Sequence, residues 1–366
     1  PSEKETLAWG YIERDVNGDM TKFQNAPKAP VKEQWSPRLG VGYPITDRTA
    51  FHFSYGQFYQ FPDLVNMYNY SNYMGEGISP PGWSDAANSL AKDFLYGNPY
   101  YPFPYNITDW YIPEVGTPNV KPQRSVQYET GLRTRIGNQY LLTVNLYYKD
   151  MFDYIASKRY DADPSQYAIY ENMDYANSRG LEFTLKKLFS NGIDWDLNYT
   201  LSRAEGNAPT PDYHWYVAEW ASGYDWRDFN RTYTMPWDQT HTLNFRINYF
   251  TPNGFGLSAI SSYGSGLPYT PEDARARPID EQYSGRMPST SNTNFKFFYD
   301  RKMMGYDIRF FADITNLFNK ENVLAVDNTT GEPDATLDSG QSPMVVWKPY
   351  YISAPRHIEL GISISR

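Results

Sequence analysis

The stretch Arg124–Arg135 reads R-S-V-Q-Y-E-T-G-L-R-T-R, and its apolar and polar residues change sides at every position. Val126, Tyr128, Thr130 and Leu132 share one parity; Gln127, Glu129, Arg133 and Arg135 share the other. After I-G-N-Q the pattern restarts. Tyr140, Leu142, Val144, Leu146 and Tyr148 now alternate with Thr143, Asn145, Tyr147 and Lys149. Period-two alternation of this length marks a strand with one apolar and one wet face. Two such strands across a tight turn make a hairpin.

The same unit recurs along the chain. Leu39, Val41 and Tyr43 lead through P-I-T-D to Phe51, Phe53 and Tyr55. Leu181, Phe183 and Leu185 turn at S-N-G into Ile193, Trp195, Leu197, Tyr199 and Leu201. Leu243, Phe245, Ile247 and Tyr249 turn at T-P-N-G into Phe255, Leu257 and Ala259. Phe295, Phe297 and Tyr299 turn near M-M-G into Tyr306, Ile308, Phe310, Ala312 and Ile314. A last strand carries Ile358, Leu360, Ile362 and Ile364. The pattern predicts about eleven strands, with a frayed twelfth near Leu7–Ile12. Short turns alternate with long segments at about 61–123, 158–174, 206–238, 265–289 and 319–353.

Composition narrows the class. The 34 tyrosines and 20 phenylalanines are far above ordinary usage, whereas helix-favouring alanine and leucine are scarce. No apolar run approaches the length of a membrane-crossing helix, and mean hydropathy is −0.67. Neither excludes a membrane barrel, whose strands are apolar only at alternate positions. The short–long connection rhythm, with Tyr140, Tyr148, Trp195, Tyr199, Tyr249, Phe250, Tyr263 and Tyr306 at strand ends, fits outer-membrane barrels with aromatic girdles. A soluble sandwich or propeller also alternates, but supplies no reason for that rhythm. The expected fold is therefore all-β, an antiparallel transmembrane barrel in the outer membrane of a Gram-negative cell, with lipid as a partner. Leu142, Val144, Leu146, Leu197, Phe245, Ile247, Phe310 and Ile362 are expected to face lipid. Arg133, Lys149, Asp196, Arg246, Arg309 and Glu359 are expected to face the lumen.

Several chemistries are excluded or unsupported. Cysteine is absent, which removes disulfides and thiolate metal sites. His52, His214, His241 and His357 are scattered without zinc-ligand spacing. D-N-T-T-G-E-P-D at 327–334 offers oxygen ligands but lacks EF-hand spacing, and reads as a solvated acidic turn. No G-x-S-x-G occurs, and Asp238 with His241 is the nearest acid–base pair, so neither a catalytic residue nor a cofactor is expected. The net charge of −9 argues against nucleic acid.

Five stretches resemble TonB-dependent outer-membrane receptors, especially the large type with a carboxypeptidase-regulatory-like N-terminal domain. S-P-R-L-G-V-G-Y-P-I-T-D-R-T (36–49) is similar to a mid-barrel hairpin of that group. P-N-V-K-P-Q-R-S-V-Q-Y-E-T-G-L (118–132) resembles the shared N-P-N-L-K-P-E-x-S-x-x-Y-E-x-G motif without its first Asn-Pro. S-R-G-L-E-F (178–183), F-A-D-I-T-N-L-F-N-K (311–320) and P-R-H-I-E-L-G-I-S-I (355–364) are similar to a strand opening, the penultimate strand and the closing strand. Residue 366 is arginine where that group usually ends on an aromatic residue, which reads as one or a few residues short.

Such receptors close about 22 strands around a plug. The resemblance therefore implies that residues 1–366 are the C-terminal part of such a barrel, its plug and N-terminal strands lying outside the sequence. Pro1 is not an initiator methionine, and the chain is expected to begin inside a longer or processed one. The implied function is active import of a bulky nutrient such as a siderophore, glycan or peptide. The implied partners are the rest of the barrel and plug, the TonB complex through the missing N-terminal part, and a surface lipoprotein. A passive or structural outer-membrane barrel is the alternative, and an outer-membrane hydrolase the next. Substrate contact is expected in the long loops, from Trp215, Trp220, Tyr224, Trp226 and Trp237 in one and Tyr68, Tyr70 and Tyr73 in another. These rings also suit packing against each other to hold the loops.

Overall fold

The computed structural model describes residues 4–7, 10–14, 20–24, 30–68, 114–160, 167–210, 231–273, 278–337, 344–347 and 349–365. Eleven strands form one continuous antiparallel path: β1 (Arg38–Pro44), β2 (Thr49–Gln60), β3 (Gln123–Ile136), β4 (Tyr140–Tyr160), β5 (Tyr167–Ser190), β6 (Ile193–Gly206), β7 (His241–Phe250), β8 (Phe255–Gly264), β9 (Thr290–Met303), β10 (Tyr306–Thr315) and β11 (His357–Ser365). Each strand pairs with its sequence neighbour. Among the described residues β1 and β11 are therefore open edges, bonded on one side only. Pro44 ends the β1 edge, where a missing N–H costs no ladder bond.

The frayed strand expected near Leu7–Ile12 is not the edge of this sheet. Lys4–Leu7, Gly10–Arg14 and Met20–Gln24 pair only among themselves in a separate three-stranded sheet. Two residues of that interval, 8 and 9, lie outside the described ones.

Register turns the sequence parity into two faces. Leu142 lies opposite Leu185, Leu185 opposite Leu197, and Leu197 opposite Phe245, an apolar row across four strands. Val144, Leu146, Ile247, Phe310 and Ile362 fall on the same face, beside Phe183, Leu181 and Trp195. The hydroxyls that interrupt this face bond each other: Ser261 Oγ lies 2.9 Å from Thr293 Oγ1, and Thr49 Oγ1 lies 2.7 Å from Thr134 Oγ1. Such pairs leave fewer donors and acceptors bare, as an apolar solvent requires.

The opposite face is a polar ladder. Arg246 Nε donates to Asp196 at 2.7 Å, Asn248 donates to Asp194 at 2.9 Å, and Lys296 donates to Asp313 at 2.9 Å. Arg309 makes a two-pronged contact with Asp300 at 2.6 and 2.8 Å while its guanidinium sits over the Phe298 ring. Arg133, Lys149 and Glu359 share this face through their partners Thr143, Ser178 and Asp313.

Aromatic residues gather at both ends of the apolar face. Near the short turns, Tyr140 packs on Trp195 and Phe255 on Phe297, with ring centroids 6.1 and 5.0 Å apart. Toward the long connections, Tyr55 meets Tyr128 at 5.2 Å, and Tyr199 stacks on His241 with its hydroxyl 2.8 Å from Nδ1.

The short turns are residues 45–48, 137–139, 191–192, 251–254 and 304–305. The two-residue Asn191-Gly192 link has φ of 54° and 79°, the left-handed pair that a tight hairpin turn demands. A Cβ on Gly192 would run into the carbonyl oxygen of Phe250. Asn191→Ala is expected to cost about 1 kcal/mol, because alanine lacks the local side-chain bonding that eases this conformation. The shift in urea midpoint of protein refolded into lipid vesicles measures it, with Asn138→Ala as the control.

The expected loop at 158–174 is mostly strand. β4 and β5 run on as a hairpin to Tyr160 and Tyr167, leaving only 161–166 between them. Register shifts mark where the projecting part begins, at Met151/Tyr154 and Tyr154/Ile155, with Asp153 at φ 58°. Asn172 Nδ2 braces the kink by donating to the carbonyls of Asp153 at 2.7 Å and Lys121 at 2.9 Å. Beyond it lies a small core of Val120, Ile155 and Tyr170, with Met67 against it. Residues 114–115 pair in parallel with 168–169 on the hairpin, and the helix Leu64–Tyr68 connects through Asn66, whose carbonyl accepts from Thr117 N at 2.9 Å. Alternation weakens here because both faces of the hairpin meet protein or water rather than lipid.

Candidate functional site

At the long-connection end of the polar face, β3–β6 and the segment before β7 enclose a pocket of about 440 Å³. Its wall uses polar-face positions: Tyr147 and Met151 on β4, Ala176 and Ser178 on β5, Ser202 and Ala204 on β6. Tyr147 lies against the backbone of Gly180, where a Cβ would collide with its ring and hydroxyl. Glycine there lets the ring lie close to the wall. Tyr154 donates its hydroxyl to Met151 Sδ at 2.9 Å, and burial raises its pKa, so it stays a neutral phenol.

The rim is built by residues 231–240. Tyr233 and Thr234 pair with Gly206 and Glu205, and Met235 N donates to Ala204 O at 2.9 Å. Asp238 N donates to Met235 O at 2.8 Å, closing a tight turn that has Trp237 on it. The side chain of Asp238, 1% exposed, accepts from Ala204 N at 2.7 Å, Thr240 Oγ1 at 3.1 Å and Arg286 at 2.7 Å. Arg286 also donates to the carbonyls of Asp238 and Gly266 at 3.0 and 3.2 Å. One ion pair thus fastens the connection between β8 and β9 to the rim and to β6. Trp237 is 55% exposed on this fixed turn and lines the pocket.

Of the eight aromatic residues expected to touch substrate, Trp237 alone is placed in the pocket among the described residues. Tyr68 ends the short helix beside the outer core, and only its backbone is described. Tyr70, Tyr73, Trp215, Trp220, Tyr224 and Trp226 lie outside the described residues. The pocket adds Tyr147, Tyr154, Gln123, Asn177 and Gln239, which loop counting passed over. Tyr147 carried a usable signal: it is an aromatic ring at wet-face parity in mid-strand.

Other candidate chemistry is not assembled. Asp238 engages Arg286 and Thr240, whereas His241 stacks on Tyr199 on the apolar face, so the two make no acid–base pair. In the 327–334 turn Asp327 Oδ1 accepts from Thr329 N and Oγ1 at 3.0 and 2.6 Å, closing the turn on itself. No cluster of three potential metal ligands occurs among the described residues.

An antiparallel sheet with one apolar face girdled by aromatics, a charged ladder on the other, short turns at one end and extended structure at the opposite one is the wall of a transmembrane barrel. The chain belongs to the family described as TonB dependent receptor-like, beta-barrel, whose model it matches over residues 11–317. Solved structures agree on the fold. The outer membrane transporter YddB from Escherichia coli superposes with a TM-score of 0.58 at 11% identity, covering 89% of this chain and 40% of that one. The ferric enterobactin receptor PfeA from Pseudomonas aeruginosa, in complex with enterobactin, gives 0.53 at 15% identity, over 90% and 40%. The FrpB iron transporter from Neisseria meningitidis gives 0.50 at 12% identity, over 89% and 38%. No curated protein matches. The chain spans about 40% of the length of these solved structures. It is an outer-membrane β-barrel protein, its apolar face is the lipid face, and its polar face lines the lumen.

Proposed function

We propose that residues 1–366 form the C-terminal half of the barrel of a TonB-energised importer, with the plug and N-terminal strands supplied by the rest of the protein. The substrate is a bulky nutrient captured outside and admitted past the plug. Trp215, Trp220, Tyr224, Trp226, Trp237, Tyr68, Tyr70 and Tyr73 belong to its outer recognition surface, and a surface lipoprotein can cap the projecting structure. The observation that carries this reading is the lumen-facing pocket at the outer mouth, with Trp237 on a clamped turn. A passive pore has no need for a rigidly presented ring at its entrance.

The test uses the full-length receptor in its own host. Uptake of nutrients on which growth depends on this gene is expected to collapse when the proton gradient is discharged, and Trp237→Ala is expected to lower it about tenfold, as loss of a stacking ring does. Flux that persists without the gradient and is indifferent to Trp237 would identify a passive channel instead.

A further inference from the structure

The pocket's chemistry narrows what it accepts. Among the described residues its lining contains no lysine or arginine, but it contains three carboxylates, Asp174, Asp238 and Glu205, the last at the outer-face parity of β6 beside Arg203. Each is already engaged. Asp238 holds Arg286, Glu205 holds Arg179 at 3.0 Å and Arg203 at 2.6 Å, and Asp174 accepts from Asn207 at 2.9 Å. An anion entering here finds carboxylate oxygens and no free cation in the wall, in a confined space where like charges repel more strongly than in bulk water. A cation finds carboxylates whose charge is already matched or hydrogen-bonded.

The remaining groups are of two kinds. Ser178 brings a hydroxyl that donates and accepts. Ser202 Oγ, which donates to Gln239 O at 3.0 Å, and the Gln239 amide, which donates to Ser265 O at 3.2 Å, keep part of their capacity. Asn177 lies at the opposite parity, with its Oδ1 accepting from Arg179 at 3.0 Å. Tyr147 and Trp237 are rings, one laid against the wall at Gly180 and the other exposed at the rim. Amides and hydroxyls beside flat apolar surfaces match a molecule rich in hydroxyls whose ring faces carry only C–H groups. Resting on the import reading above, we propose that this pocket binds a segment of a neutral oligosaccharide and rejects anionic metal chelates.

The purified full-length receptor tests this against a panel of uncharged hexasaccharides, their uronic-acid counterparts of equal length, ferric enterobactin, ferric citrate and short peptides. At least one uncharged hexasaccharide is expected to bind, with its uronic-acid counterpart at least about tenfold weaker. Trp237→Ala is expected to weaken that binding about tenfold while the barrel keeps its heat-dependent gel mobility. Ser178→Arg, which places a cation in the wall, is expected to narrow the gap between neutral and acidic sugars. Equal or tighter binding of acidic sugars, chelates or peptides overturns the proposal, as does failure of every uncharged sugar to bind. Gradient-driven uptake in cells separates the two readings. Driven uptake of a chelate leaves import standing and removes the sugar site. Sugar binding without driven uptake of any panel member does the reverse.

Discussion

Phe245→Arg is expected to destabilise the folded barrel by about 2–4 kcal/mol, the range for a cation on the lipid face near the bilayer midplane. Phe245 lies in the row that runs through Leu142, Leu185 and Leu197, with its ring 6.3 Å from Trp195. An arginine there has no water, and no carboxylate lies beside it: the residues opposite it are Leu197 and Ser261, and the nearest ladder carboxylate, Asp196, points to the other face. Its neighbour Asn244 sits opposite Asn198 and Ser262 on the lumen face, where the same replacement is expected to cost less than about 1 kcal/mol. Urea unfolding of the full-length protein from lipid vesicles measures both. Equal costs at 244 and 245 would mean that the sheet does not divide lipid from water.

The second large effect concerns the clamp at the outer mouth. Arg286→Ala leaves the Asp238 carboxylate buried with two hydrogen bonds and no countercharge. Complete loss of a partner from a fully buried pair costs about 3–5 kcal/mol. The Arg286 side chain is 40% exposed and water screens part of the interaction, so about 2–3 kcal/mol is expected here. The loss is local rather than global, since the rim is attached to the sheet by few bonds. Amide exchange at Met235 and Ala204 is expected to speed up about 30- to 150-fold, while exchange at Leu197 and Phe245 stays unchanged. Asp238→Asn combined with Arg286→Ala is expected to cost less than the sum of the single changes, because the double variant buries no unpaired charge. Additive costs would show that the pair does not fasten the rim.

The part of the fold legible in the sequence is the part that two solvents impose. From Leu39 to Ile364, residues alternate because lipid touches one side and water the other, and that contrast delivered eleven strands and their sidedness. Where the contrast ends, so does legibility. Ile169 and Tyr170 read as loop because the upper hairpin meets protein or water rather than lipid, and both are buried there. The early segments Lys4–Leu7 and Gly10–Arg14 carry alternation too short to reveal which sheet they join. The pocket was only partly visible. Trp237 announced itself as one of a crowd of loop aromatics, but the Asp238–Arg286 pair spans 48 residues of sequence, and nothing local in either residue points to the other.

The β4–β5 hairpin has a consequence for where the molecule meets its surroundings. Its strands have 21 and 24 residues, and at about 3.3 Å per residue they trace a contour of roughly 70–80 Å. A lipid-facing band about 25 Å tall, crossed at the tilt usual for barrels, consumes less than half of that contour. The remainder stands as a mast beyond the lipid headgroups. The kink at Asp153, held by Asn172, sets the mast's bearing. The described strand ends at Tyr160 and Tyr167 therefore stand farther out than the pocket, where an arriving solute passes them before it reaches the pore.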